Sequence, residues 1–179
     1  MDETKNKGKE VSIMEIRYVT PEDDRMEISK IYEKSWRHAY KGIIPRSYLD
    51  SIPEGRWASQ IDTPDWNTLV VTENEKIIGT SSFCKSRFEQ FCNWGEIISI
   101  YLLPEYMGKG YGKVLLTSAV LELKKQGYED VFLWVLAENR RARHFYEEFG
   151  FLITDDTLTD NIGGKDLQEI RYIYKQRSV

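Results

Sequence analysis

Cysteine and histidine are nearly missing from this 179-residue sequence, which has two of each: Cys84, Cys92, His38 and His144. Two thiols at that spacing match neither a metal-ligand pattern nor a disulfide framework. A metal-free chain with buried or idle thiols is expected. The two histidines are expected at the surface or in packing rather than in catalysis. No apolar run approaches the ~18 residues that span a membrane, and the N-terminus lacks a signal-peptide core, so a cytoplasmic protein with no membrane partner is expected. A long basic run is missing too. With a net charge of −4 and a pI of about 5.4, the composition argues against binding nucleic acid through phosphate contacts. There is no internal repeat and no linker long enough to divide domains.

Aromatic residues, by contrast, are plentiful: 5 Trp, 11 Tyr and 7 Phe suggest a well-filled core and a pocket lined by rings. The opening "MDETKNKGKEVSI" is polar and without periodicity. Residues 1–13 are expected to be a loose extension, 14–175 the folded domain, and 176–179 a short tail.

Within the domain, "IRYV" reads as a strand. Met26, Ile28, Ile31, Tyr32, Trp36 and Ala39 recur at near-helical spacing, with Thr20 or a nearby acid as cap. "RSYLDSI" is a short second helix. "TLVVTENEKIIGTSSFCK" is a hairpin turning at 73–76, and "GEIISIYLLP" is a strand closed by Pro104. Leu116, Ala119, Val120 and Leu123 mark a helix ending at Gly127. "DVFLWVL" reads as a strand covered on both faces. Asn139 caps a helix that ends at Gly150, and "GFLIT" and "LQEIRYIYK" complete the sheet, with "TDNIGGK" (159–165) a loop. The order β-α-α-β-β-β-α-β-α-β-β describes a single mixed α/β domain.

Between one strand and the next helix stands "EYMGKGYGK", with three glycines on alternate residues. Gly108, Gly110 and Gly112 leave backbone N–H donors uncovered at a helix start, and Lys109 and Lys113 add charge. The stretch suits either a phosphate cradle or a tight packing turn. The dinucleotide pattern fails because Lys113 stands where its third glycine belongs. The P-loop pattern fails because Val114 follows Lys113.

The stretch resembles the acetyl-CoA loop [Q/R]-x-x-G-x-[G/A] of the GNAT superfamily of acetyltransferases, from Met107 to Gly112, with Met107 replacing the usual glutamine or arginine. "NRRARHFYEEFGF" is similar to that family's N-x-x-A-x-x-F-Y-E-x-x-G-F, matched by Asn139, Ala142, Phe145, Tyr146, Glu147, Gly150 and Phe151. "SWRHAYKGIIPRSYLDSI" resembles the first two helices of one bacterial branch. The element order also agrees over nearly the whole chain.

The resemblance implies a single GNAT-like domain. Its sheet is twisted and mostly antiparallel, the fourth and fifth strands splay apart, and helices flank it. It implies acetyl-CoA as co-substrate, held by the loop 107–113 (including Lys109, Tyr111 and Lys113), by Ile100, Tyr101 and Leu102 on the splayed strand, and by Asn139, Ala142 and Tyr146. Asn139 doubles as a helix cap.

Acetyl transfer from a thioester to an amine needs the ammonium deprotonated, the oxyanion stabilised and the thiolate protonated. By analogy Glu96, eleven residues before Met107, is the base or the attractor of the cation. Tyr146 is the acid, and a backbone N–H near residues 100–102 serves the oxyanion. Trp36, Tyr40, Ile43 and Ile44 would face the acceptor, with Tyr172 and the 159–165 loop closing the other side. That acceptor is a primary amine of a small molecule (polyamine, aminoglycoside-like or amino-acid-derived) or a peptide N-terminus. A homodimer is compatible with the aromatic C-terminal strand. The alternative is a non-catalytic acyl-CoA-binding sensor or scaffold, which need keep neither Glu96 nor Tyr146.

Overall fold

The computed structural model describes residues 12–175, and the expected 176–179 tail and most of the expected N-terminal extension lie outside them. Seven strands form one sheet in the order β1-β2-β3-β4-β5-β7-β6. They are β1 (Met14–Tyr18), β2 (Asn67–Glu73), β3 (Lys76–Lys85), β4 (Gly95–Leu102), β5 (Asp130–Leu136), β6 (Leu152–Ile162) and β7 (Lys165–Lys175). Every neighbouring pair is antiparallel except β4 and β5. The helices are α1 (Arg25–Ala39), α2 (Arg46–Ser51), α3 (Tyr111–Lys125) and α4 (Arg140–Phe149).

Local chemistry explains the boundaries. Asp24, rather than Thr20, caps α1 by accepting a hydrogen bond from the Met26 N–H. Ile28, Ile31, Tyr32 and Ser35 then bury one stripe of that helix against β3 and β4. The β2–β3 hairpin turns on Asn74 and Glu75, both at positive φ, and the turn ties down Ser12 and Ile13 through Glu73 and Asn74. On β5, Val131, Leu133 and Val135 are buried in the core shared with α3 and Tyr146, and Leu136 is buried in the cluster with Leu49 of α2. Phe132 lies beneath the rings of Phe88, Phe91 and Trp94 in the β3–β4 connection. Gly150 ends α4 at φ 111°, a conformation that favours glycine.

One sequence expectation needs correction. Residues 159–165 are not a loop: β6 and β7 run for 11 residues each and meet at a two-residue turn, Gly163–Gly164. Both glycines adopt positive φ, as such hairpins require. The hairpin leans on α2, where a Cβ on Gly163 would come within 2.6 Å of Tyr48.

Two irregularities in β4 position the site. A bulge between Ser82 and Phe83 sets Ser99 opposite Ser82 but Ile97 opposite Phe83, which leaves Ile98 unmatched. The extra residue switches the alternation. Ile97 packs into the α3-side core, while Ser99 meets the Tyr32 hydroxyl of α1. On its other edge, β4 pairs with β5 only from Gly95 to Ile97. Beyond Ile97 the two strands part, and among the described residues no strand pairs with that edge of β4.

Candidate active site

The parting of β4 from β5 opens a cleft of about 1080 Å³ through the middle of the molecule. Its rim at one end is the loop ahead of α3. Gly108 and Gly110 stand at φ 77° and 92°, and an added Cβ at either would meet nothing within 4 Å, so the surface there is open backbone. Gly110 occupies the cap position of α3, where no side chain caps the helix, so N–H groups of the first turn face the cleft uncovered. Lys113 also lines the cleft and supplies positive charge, and Arg141, likewise in its lining, reaches the His38 ring of α1 at 3.3 Å. The side chains of Lys109 and Tyr111 turn elsewhere. Lys109 lies over the Tyr106 ring, and the Tyr111 hydroxyl donates to Glu73, so the expected contribution of these two side chains to the cleft is corrected.

Along the middle run Ile100, Tyr101, Leu102 and Met107 on one side, with Val135, Asn139, Ala142 and Tyr146 on the other. Asn139 accepts a hydrogen bond from the Ala142 N–H, the cap expected from the sequence. The Trp134 indole N–H, in the same wall, is buried and has no partner among the described residues. An orphaned donor beside an unpaired strand edge suits a ligand that brings its own acceptors, such as amide carbonyls. Open glycines, positive charge, an unpaired edge and an orphan donor together fit an extended molecule with a phosphate end and an amide-bearing arm.

A group of phenols occupies the centre. The Trp36 indole N–H donates to the Tyr101 hydroxyl, and the Tyr40 ring packs edge-on against Trp36. Burial pushes the Tyr40 hydroxyl up to about 12 and raises Tyr146 further, so both stay protonated and able to donate a proton near neutral pH.

Glu96 lies at the closed end of the gap, opposite Phe132, and is only 1% exposed. Its two oxygens receive the Arg87 guanidinium at 2.6 and 3.1 Å, and the Arg87 backbone N–H at 3.1 Å. Hydrogen bonding to Glu96, ahead of the opposing effect of burial, holds the Arg87 pKa above its ordinary value. Glu96 therefore faces the cleft as half of an ion pair.

Three residues expected at the acceptor end are placed outside the cleft. Ile44 is buried with Leu49, Ile52, Leu136 and Leu167, and Ile43 packs against that cluster. Tyr172 is fully buried. Its hydroxyl donates to Glu147 at 2.6 Å and accepts from Arg143 at 3.0 Å. That strand face packs against α4, so Tyr172 braces the helix rather than the acceptor.

Trp36 and Tyr40 do line the cleft, joined by Arg87, Phe88, Trp134, Asp160 and Glu169, which sequence reasoning missed. The signal for Glu169 was its place two residues from Leu167 and two from Arg171, which puts an acid on the same strand face as both.

A sheet whose fourth and fifth strands part around a cleft, with a glycine loop at one end and a buried tyrosine in the wall, is the arrangement that the resemblance to the acetyl-CoA-dependent acetyltransferases implies. Residues 26–151 match the model of the acetyltransferase (GNAT) family, and the chain belongs to that family as an N-acetyltransferase. It is 33% identical over 152 residues to the uncharacterized N-acetyltransferase YuaI of Bacillus subtilis (strain 168), covering 83% of this chain and 86% of that one. It is 30% identical over 156 residues to the spermidine N(1)-acetyltransferase of Thermoplasma acidophilum, covering 83% and 94%. Among solved structures it is similar to the PaiA N-acetyltransferase of Thermoplasma acidophilum in complex with coenzyme A. That match has a TM-score of 0.71 and 26% identity, covering 90% of this chain and 99% of that one.

Proposed function

We propose that the protein transfers an acetyl group directly from acetyl-CoA to a primary amine. The observation that carries this reading is the continuous cleft joining the open glycine loop to Tyr146 and Glu96. The N–H groups at 108–112 would hold the pyrophosphate, and the unpaired edge of β4 from Ile98 to Leu102 would take the pantetheine arm as a sheet takes a strand. Acetyl-CoA supplies the activated thioester.

Tyr146 gives its proton to the departing thiolate, a role supported by its protonated state in the cleft wall. A backbone N–H on the free edge of β4 receives the oxyanion. Glu96 takes a proton from the acceptor's ammonium, through a water because Arg87 holds both of its oxygens, and the freed amine attacks the thioester carbonyl. No covalent intermediate on the protein is required.

The acceptor is a small amine rather than a macromolecule, because Trp36, Tyr40 and the β6–β7 hairpin wall in that end. The relative acting on spermidine supports polyamines among the acceptors to be tried first. The deciding experiment is a panel of amines assayed for free CoA thiol. Acetylation of at least one amine, with slow background hydrolysis of acetyl-CoA alone, is the expected result. Tight CoA binding without turnover on any amine or peptide would replace the enzyme with an acyl-CoA sensor.

A further inference from the structure

Past Tyr146 the cleft changes character. Glu169 on β7 and Asp160 on β6 close it at the hairpin, across from Arg87 and the rings of Trp36, Tyr40 and Trp134. The guanidinium beside these two carboxylates, that of Arg87, already has its Nε and Nη2 bound to Glu96, which lies further along the cleft. The end therefore carries surplus negative charge.

Glu169 is half-buried. The influences on its carboxyl group are burial and the nearby charges of Asp160, Arg87 and Glu96, with no hydrogen-bond donor among them. Burial, reinforced by Asp160, raises its pKa above the usual carboxylate value. An acid kept in that condition costs stability unless something returns the benefit. A cation seated there would do so.

Register separates the two acids along the cleft. Glu96 stands beside Phe132 and Glu169 beside Leu136, four residues further along β5, or roughly 13 Å of strand. Both side chains lie in the same cleft, so one ligand reaches both only if several carbon atoms separate its charged groups. An α-amino acid is too short, and its carboxylate would meet like charge.

We propose that Glu169 reads a second positive charge on the acceptor, so that the substrate class is a diamine or polyamine. The reacting amine lies between Tyr146 and Glu96, the distal ammonium pairs with Glu169, and its alkyl chain runs along Trp36 and Trp134. The inference rests on the acetyl-transfer reading of the same cleft and sharpens it to a substrate class.

The test compares 1,4-diaminobutane and spermidine with butylamine, using the wild type, Glu169→Gln and Glu169→Asp. Wild type should show kcat/KM at least ten-fold higher for the diamine than for the monoamine. In Glu169→Gln that ratio should collapse towards one through KM, and Glu169→Asp should restore part of it. A matching fall of kcat for both amines, with the ratio kept, would overturn the inference and make Glu169 a proton carrier. A ratio of one in wild type would overturn it as well.

Calorimetry of 1,4-diaminobutane with CoA-loaded protein separates the two readings. Were no amine acetylated, the acetyl-transfer reading would fail. Diamine binding that Glu169→Gln abolishes would still support the charge-reading role, and no diamine binding to wild type would overturn it.

Discussion

Arg87 grips Glu96 with its guanidinium and with its own backbone N–H, so the connection between β3 and β4 is fastened to the strand it precedes. One partner of this pair is buried and the other is half exposed, at 47% for the Arg87 side chain. Removing Arg87 strands a buried carboxylate, whereas removing both leaves no charge behind. Arg87→Met should therefore cost about 2 kcal/mol, below the ~3–5 of a fully buried pair because water reaches the arginine side. Arg87→Met/Glu96→Gln should recover part of that loss in urea melts. A double variant less stable than Arg87→Met would show that Glu96 is not the stranded group.

Glu96→Gln alone should retain acetyl-CoA affinity and lose turnover most at low pH, where few acceptor molecules are already neutral. Partial recovery is expected as pH rises. A raised KM with kcat nearly intact would mean that Glu96 only attracts the cation.

Tyr146→Phe removes a hydroxyl from the cleft wall and keeps the ring against Phe145 and Phe151. The melting temperature should hardly change. Turnover should fall ten- to a hundred-fold, about 1.4–2.7 kcal/mol of transition-state stabilisation. Wild-type turnover across the pH range would reduce Tyr146 to packing.

Gly110 combines positive φ with open space ahead of α3. Gly110→Ala should cost about 1 kcal/mol through the left-handed backbone alone. Gly110→Asp adds a negative charge where phosphates would lie, and should weaken acetyl-CoA binding at least ten-fold by calorimetry. Unchanged affinity in a folded variant would place the phosphates elsewhere.

The Arg17 hydrogen bond, opposed in part by burial, lowers the Asp23 pKa to about 2 from 3.8, and the Thr20 N–H adds a further bond. The folded value lies below the unfolded one, so this stabilisation is present above pH ~4 and fades as pH falls through about 2. Asp23→Asn should be less stable than wild type by about 1–2 kcal/mol near neutrality, allowing for partial solvent screening. The gap should close between pH 4 and 2. A constant gap would mean the carboxylate charge contributes nothing.

Much of the architecture was legible because local rules decided it. The apolar run Asp130–Leu136 is a strand buried on both faces, Asn139 caps α4, and Gly127 and Gly150 lie at positive φ where their helices end. What stayed hidden depended on tertiary direction. Tyr172 alternates with Arg171 on a strand covered on both faces, so periodicity alone could not say which neighbour it meets. Pairing of Arg87 with Glu96 depends on the β3–β4 register and its bulge. The role of Asp156 beside Arg171, under the Phe91 ring, was equally invisible. The strand character of 159–162 was obscured by its polar residues, which sit on the edge strand β6, exposed to water.

The cleft is assembled from two different stretches of chain. Its middle and glycine end come from one continuous stretch, residues 96–149, while the far walls come from α1, the β3–β4 connection and the β6–β7 hairpin. On the proposed reading, the donor's contacts fall mostly in one passage of the sequence, while the acceptor's are shared between that passage, through Glu96 and Trp134, and the far walls. If the proposed acceptor site is right, substitutions in the hairpin change which amine is accepted and leave the glycine loop and Tyr146 in place. Exchange of that hairpin between relatives is therefore a direct route to new selectivity on an unchanged reaction.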